Sequence, residues 1–260
     1  MRVPRQVVEA RRSRLTELLL ERGYLPISEL CEQLGVSEAT ARRDLSVLQS
    51  EDRITRTYGG ALGEFNATFT SFRERLREGT EAKGLIARTA VSLIKPGISV
   101  YLDAGTTAFA IAQELRRHLP EGLTIITNNL ALLETLGSLP GTKTTLLGGQ
   151  LLERQSVLLG DEAVQAAAAQ EIDIAFLGAQ GMNEQGLWNS QHDIIRLQQA
   201  VMKRAGRSCF CLDRSKLGRT APEHLIAWPR VRTLVCDLSL PELRQAGITL
   251  KPGVLLHNQS

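Results

Sequence analysis

The chain has few aromatic residues, few cysteines, no lysine before Lys83 and no long apolar run. Each shortage excludes something. Aromatics make up 4% of the 260 residues, so any core is built of Leu, Val, Ile and Ala, which a 43% hydrophobic content allows. The four cysteines, at 31, 209, 211 and 236, lack the spacing of a disulfide framework. Cys209 and Cys211 stand two apart in a strand-like run and read as buried thiols rather than as a metal or redox site. His118, His192, His224 and His257 show no metal-ligand spacing. There is no G-x-S-x-G elbow and no P-loop, and Gly178-Ala179-Gln180-Gly181 lacks the full dinucleotide fingerprint. No metal, no cofactor and no catalytic residue is expected. No apolar stretch approaches the roughly 20 residues of a spanning helix. The opening MRVPRQVVEARRSR has no apolar signal segment. The expectation is a soluble, cytoplasmic chain without a membrane partner.

Charge excludes less. The formal net charge of +3 is too mild to establish a nucleic-acid partner. The first 60 residues hold ten arginines against nine acids, so a basic face there must come from placement, not excess. Arg11, Arg12 and Arg14 fit a DNA backbone or a solvated helix face equally well.

What is present is organised around Gly35-Val36-Ser37-Glu38-Ala39-Thr40-Ala41-Arg42-Arg43-Asp44-Leu45. Ser37 is a good N-cap, and Glu38 places a carboxylate at the positive end of the helix it opens. Ala41, Leu45 and Leu48 recur at i, i+4, i+7 and face inward. Upstream, Ser28 to Leu34 reads as a shorter helix stopped by Gly35, where a left-handed C-cap is wanted. A first helix over 5–22 buries Val8, Leu15, Leu18 and Leu19 and ends at Gly23. Leu25-Pro26-Ile27 is an extended connection. Arg53 to Leu62 reads as a hairpin with Gly59-Gly60 in its turn, a wing. Residues 1–62 therefore form a winged helix-turn-helix whose second helix is shaped for a major groove. Ser37, Thr40, Arg42 and Arg43 are the expected DNA contacts, with Arg56 and Tyr58 from the wing.

Residues 63–80 read as a linker, and 81–260 as a second domain for sensing and oligomerisation. Ser71 to Lys95 is helical in pattern, interrupted at Gly79. From Pro96, short apolar strands alternate with helices: strands over 98–102, 123–127, 144–147, 172–177, 208–212, 231–236 and 248–250, helices over 108–119, from after Asn129 to Leu136, 160–170 and 193–205. This predicts an α/β, Rossmann-like, mostly parallel sheet with helices on both faces. Ligands in such sheets bind beyond the carboxyl ends of the strands. Four of those ends are small or polar: Asp103-Ala104-Gly105-Thr106-Thr107, Thr127-Asn128-Asn129, Gly148-Gly149 and Asp213-Arg214-Ser215-Lys216. Gly105 permits close approach, Thr106 and Thr107 offer hydroxyls and N–H groups at a helix start, and Lys216 offers a cation. Each alone is also an ordinary turn sequence; together they mark a cleft.

Val36-Ser37-x-x-Thr40-x-Arg42-Arg43-Asp44-Leu45, followed by Arg53-Ile54-x-Arg56-x-Tyr58-Gly59-Gly60-Ala61, resembles the DNA-binding head of DeoR-type transcriptional regulators, with Ala41 for the usual Ile and Tyr58 for the usual His. The resemblance continues through Asp103-x-Gly-Thr-Thr, Thr127-Asn128, Gly148-Gly149, Phe176-Leu177-Gly178-Ala179 and Asp213-x-Ser-Lys216-x-Gly218, and so runs from residue 8 to about 250. It implies an oligomeric cytoplasmic repressor that binds an operator in double-stranded DNA. It implies a sensor domain similar to ribose-5-phosphate isomerases and CoA transferases, which in many members takes a phosphorylated sugar. Asp103, Gly105, Thr106, Thr107, Asn128, Gly149 and Lys216 are then the expected effector contacts. Two departures stand out: Gln180 where relatives read G-A-D-G, and Arg196-Leu197-Gln198 where they often carry E-x-K. Both remove groups expected on sugar hydroxyls. The alternatives are an isomerase with an added head, which needs a general base that Gln180 cannot be, and a constitutive DNA binder with a structural second domain.

Overall fold

The computed structural model describes residues 5–22, 24–50, 54–57, 60–63, 72–152 and 155–256. In chain order these form α1 (Arg5–Arg22), β1 (Tyr24–Pro26), α2 (Ile27–Leu34), α3 (Glu38–Ser50), β2 (Ile54–Thr57), β3 (Gly60–Gly63), α4 (Phe72–Arg75), α5 (Thr80–Val91), β4 (Ser99–Leu102), α6 (Thr106–Arg117), β5 (Thr124–Thr127), α7 (Leu130–Leu136) and β6 (Lys143–Leu146). There follow β7 (Gln150–Leu152), β8 (Val157–Leu159), α8 (Asp161–Ala168), β9 (Ile172–Leu177), β10 (Gly181–Asn183), β11 (Gly186–Asn189), α9 (His192–Arg204), β12 (Ala205–Leu212), β13 (Glu223–Ile226), β14 (Thr233–Cys236), α10 (Leu240–Gln245) and β15 (Leu255–Leu256). The main break between two compact units falls between Thr70 and Ser71.

The first unit is a three-helix cluster with a small antiparallel sheet. Leu15, Leu18 and Leu19 of α1, Leu25, Leu30 of α2, and Leu45 and Leu48 of α3 form one buried cluster. The spacing on each helix is the i, i+3/i+4 spacing that puts one face inward; Val8 is only half-buried. Gly35 caps α2 at φ 62, ψ 36 and returns its N–H to the Cys31 carbonyl, a left-handed turn that glycine adopts without Cβ strain. The hairpin pairs Arg56 with Ala61 and Thr57 with Gly60. The segment expected as a mere connection is a third strand: β1 pairs with β3, Leu25 opposite Ala61. Gly23, Arg53, Tyr58 and Gly59, and the part of the expected linker between 64 and 71, lie outside the described residues. Phe72, inside that expected linker, is buried in the second unit.

The second unit is built on a seven-stranded sheet in the order β15-β14-β12-β9-β4-β5-β6. Every neighbouring pair in it is parallel. Its strands are apolar on both faces because helices cover both. Val100, Leu102, Ile125, Ile174 and Phe176 pack with α5, α6 and α7. Tyr101, Ile126, Ala175 and Leu177 face the opposite cluster with α8, α9 and α10. The expected last strand at 248–250 is absent: Ile248 is buried in a turn, and the seventh strand is β15, with Leu255 opposite Leu234. Also unforeseen are the hairpin β7–β8 and the antiparallel β10-β11-β13 sheet, whose strands are only three or four residues long. Strand order reverses direction between β4 and β9. That switch point is where the two halves of a parallel sheet diverge and leave a crevice.

Candidate functional sites

The first candidate is the exposed face of α3. The Thr40 N–H donates to Ser37 Oγ at 3.4 Å, and the Thr40 and Ala41 N–H groups both donate to the Ser37 carbonyl at 3.0 Å. Ser37 thus opens the helix as its sequence suggests. Ser37, Arg42 and Arg43 are exposed and Thr40 half-buried. Arg42 donates from Nε to Glu38 Oε1 at 2.8 Å, a second guanidinium nitrogen contacting the same oxygen. Exposed i,i+4 pairs of this kind are worth little and are easily exchanged for another anion. Arg43 has no hydrogen-bond or ion-pair partner among the described residues. Arg56 lies on β2, with its side chain outside the description, and Tyr58 is outside it altogether.

The same helix resolves the two readings of Arg11 and Arg12. Asp44 is 2% exposed. Arg11 Nε donates to its Oδ2 at 2.6 Å and Arg12 Nε to its Oδ1 at 3.0 Å. These arginines therefore fasten α1 to α3. Arg14 pairs with Glu17 on the surface.

The second candidate is the crevice at the switch point, a cleft enclosing about 710 Å³ including its open mouth. Its walls come from three strand ends: Asp103 to Ala108 after β4, Phe176 to Gln180 at β9, and Cys211 to Asp213 with Lys216 at β12. Arg75 and Gln155 close it from outside the sheet. At its floor α6 begins at Gly105, which supplies no side-chain cap. Phe109 N–H is the first to bond back, to the Gly105 carbonyl at 3.0 Å. The amides of Thr106, Thr107 and Ala108 thus lack an intrahelical acceptor at the positive end of a 12-residue helix.

Cations gather at the same place. Burial pulls the Lys216 ammonium below its usual range; Asp213 opposes this, while Arg219, Arg75 and Lys83 add to it. The Arg75 guanidinium is likewise lowered by burial. Lys83 Nζ donates to the Arg75 carbonyl at 2.8 Å and the Glu78 carbonyl at 2.5 Å, tying α4 to α5. Of these cations Lys216 and Arg75 line the cleft, together with the buried acids Asp103 and Asp213.

Asp103 occupies the other side. Burial raises its carboxyl above the usual range, and three neutral donors pull it back: the Gly178 and Ala104 N–H groups and the Gln198 amide. Gln198 Nε2 donates to Asp103 Oδ2 at 2.6 Å and to the Gly178 carbonyl at 2.8 Å, and its Oε1 accepts from Asn189 Nδ2 at 3.1 Å. Gln198 is fully buried and spent on this network; the position expected to face a sugar hydroxyl holds Asp103 instead. Gln180 does line the cleft.

Two expected contacts lie elsewhere. Asn128 is buried; its Oδ1 accepts from the Tyr101 hydroxyl at 3.1 Å and its Nδ2 donates to the Leu158 carbonyl at 3.0 Å. It does not line the cleft. Gly149 has φ 124, and a Cβ there would stand 2.3 Å from the Leu159 carbonyl oxygen. It is a glycine because two backbones of a hairpin meet. Sequence reasoning missed Arg75, Gln155, Asn189 and Ile194, which approach the cleft from segments with no turn-like signature. Among the described residues no His, Cys, Asp and Glu group could hold a metal ion, and no helix is long and apolar enough to cross a membrane.

Comparison with known proteins agrees with this division. Residues 11–64 match the model of the DeoR-like helix-turn-helix domain, and residues 78–238 that of the DeoR C terminal sensor domain. The chain is 32% identical to the glycerol-3-phosphate regulon repressor of Escherichia coli strain K12 over 89% of its length and 91% of that protein. It is 32% identical to the HTH-type transcriptional repressor GlcR of Bacillus subtilis strain 168 over 82% of each chain. A ribose 5-phosphate isomerase from Plasmodium falciparum aligns with 53% of this chain and 52% of its own at TM-score 0.38 and 17% identity, too loose a likeness to carry an argument.

Proposed function

The chain belongs to the DeoR family of transcriptional regulators, and from that premise we propose that it is an operator-binding repressor whose DNA affinity is set by a small phosphorylated metabolite. It acts in the cytoplasm as a homo-oligomer of at least two copies. α3 enters the major groove. Thr40 and Arg43 contact bases and phosphates, Arg42 exchanges Glu38 for the nucleic acid, Ser37 orders the helix start, and Arg56 and Tyr58 follow the backbone or minor groove. One winged head offers a small interface, so tight specific binding needs two heads on two half-sites.

The observation that carries the effector reading is the cleft's charge arrangement. Three uncapped helix amides, Lys216 and Arg75 line one cavity. A phosphate seated on Gly105, Thr106 and Thr107 would satisfy the amides, meet the helix dipole and take a charge-assisted contact from Lys216. Asp103 receives the body of the ligand. Binding alters DNA affinity only to the extent that it differs between the DNA-competent and DNA-free states, a coupling of about 1–3 kcal/mol. The relatives named for repression make an enzymatic role unnecessary. Asp103, fastened by neutral amides, is a recognition group and not a mobile base.

The test begins by selecting genomic fragments bound by the purified full-length chain, since neighbouring genes point to the effector's chemistry. Phosphorylated metabolites are then titrated against the selected fragment. One of them is expected to shift DNA affinity about 5- to 150-fold, and Thr106→Ala with Lys216→Ala to abolish the shift without changing ligand-free DNA binding. An effector without any anionic group would refute the reading.

A further inference from the structure

The cleft lies at the carboxyl ends of the parallel strands, and their starts share the opposite edge of the sheet. There the neighbouring strands β12, β14 and β15 are each entered through basic residues. Lys203 and Arg204 end α9 and lead into β12, on which Arg207 follows. Arg230 and Arg232 precede β14, and Lys251 precedes β15. All six are exposed. The strand register sets them side by side: Cys209 stands opposite Thr233, and Leu234 opposite Leu255. Strands about 4.8 Å apart bring the three entries within about 10 Å of one another.

None of the six has an acid within ion-pairing distance among the described residues, whereas seven arginines elsewhere on the chain do. Two are held by neutral acceptors instead. Arg204 Nε donates to the Gln170 carbonyl at 2.9 Å, and Arg207 Nε to Thr233 Oγ1 at 3.2 Å. Among the described residues each is bonded through Nε alone, which leaves the outer nitrogens of the fork for an external acceptor.

The adjoining strand β9 brings two acids to this edge, Glu171 just before it and Asp173 on it. One oxygen of Asp173 already takes the Ser99 N–H at 2.7 Å and the Ser99 hydroxyl at 2.8 Å. Over β9, β12, β14 and β15 the edge thus carries six cations against two acids, in a chain whose formal charge is only +3. Lys203 and Arg204 also suit the negative end of α9. The other four stand at no α-helix end, so helix capping does not account for them. Duplex DNA offers one negative charge per about 1.7 Å of axis, and an edge of about 10 Å with long arginine arms meets several of them. The exposed face of α3 brings that polyanion to the same chain.

We propose that this edge of the sensor domain is a second, sequence-independent DNA-contacting surface, on which Arg207, Arg230 and Arg232 pair with backbone phosphates. The proposal rests on DNA binding through α3 and is independent of the effector. It is tested by fluorescence anisotropy of the full-length protein on the selected operator duplex and on a scrambled duplex, each over a range of salt. Arg207→Gln/Arg230→Gln/Arg232→Gln should flatten the slope of log affinity against log salt by about 2–3, and weaken both duplexes by the same factor, about tenfold at physiological salt. Lys203→Gln/Arg230→Gln/Arg232→Gln, which leaves the Thr233 bond intact, reads the same loss if the first variant melts early. Arg207→Lys/Arg230→Lys/Arg232→Lys keeps the charge and should keep the slope. An unchanged slope in both glutamine variants would overturn the assignment and leave the edge to an acidic protein surface. A flattened slope in the lysine variant, or a loss confined to the operator, would overturn it as well, and in all three cases the repressor reading stands. A wild type that binds neither duplex would overturn the repressor reading and this assignment with it.

Discussion

Changing Asp44 to Asn is the sharpest test of how the head is held together. The carboxylate is almost wholly buried and takes one hydrogen bond from each of Arg11 and Arg12. Asparagine keeps the shape and one acceptor, removes the charge, and turns an amide NH₂ toward a guanidinium. The arginine side chains are 17% and 23% exposed, so water can reach them and relieve part of the cost. Breaking a fully buried pair costs about 3–5 kcal/mol, and charge-assisted bonds contribute about 1.5–3 each. With two bonds weakened and partial rehydration, the loss should be about 2–4 kcal/mol. A head of about 60 residues has roughly 3–9 kcal/mol in total. Denaturant unfolding followed by circular dichroism should therefore show an early transition for the head, with the sensor transition unmoved. DNA binding should fall with the fraction of folded head, and Arg11→Ala and Arg12→Ala should act in the same way without reducing the salt dependence of binding. A loss below about 1 kcal/mol, or a reduced salt slope for the arginine variants, would refute the tie and return those arginines to the DNA backbone.

Arg43→Ala should cost about 1–3 kcal/mol of operator affinity and relax specificity at one base position, read by binding to a library of single-base operator variants; uniform weakening would mark a phosphate contact instead. Gln198→Leu removes one of the donors that hold the raised Asp103 carboxyl down, so that carboxyl rises further. Because a raised carboxyl loses stability as pH climbs through its folded value, the variant's deficit should be largest at neutral pH, about 1.5–3 kcal/mol, and shrink as the medium is acidified into the carboxylate range. A deficit that does not change with pH would show that Gln198 acts by packing alone. Burial pushes the Cys236 thiol up to about 12 and raises Cys209 and Cys211 as well; mass spectrometry after iodoacetamide at pH 8 should find label on half-buried Cys31 first, and equal labelling of all four would contradict the sheet packing.

The sequence by itself determined the parts governed by local periodicity. Leu15, Leu18, Leu19, Ala41, Leu45 and Leu48 are buried where helical spacing put them, and Gly35 caps where a left-handed residue was needed. The apolar strand runs lie in a parallel sheet, and the loop after β4 opens α6 into a cleft, because the carboxyl ends of parallel strands share one edge. Only the tertiary structure decided which side chains meet. Asp44 finds Arg11 and Arg12 from 33 and 32 positions away, and Gln198 finds Asp103 from 95. Asn128, in a turn as polar as any ligand loop, is spent on Tyr101 and Leu158, while Gln155 and Arg75 reach the cleft from stretches with no turn-like signature. Periodicity fixes which face of an element turns inward; it carries no information on which distant element that face will meet. A polar residue's bond is chosen by the neighbour the fold delivers, so its residue type alone leaves a structural tie and a ligand contact indistinguishable.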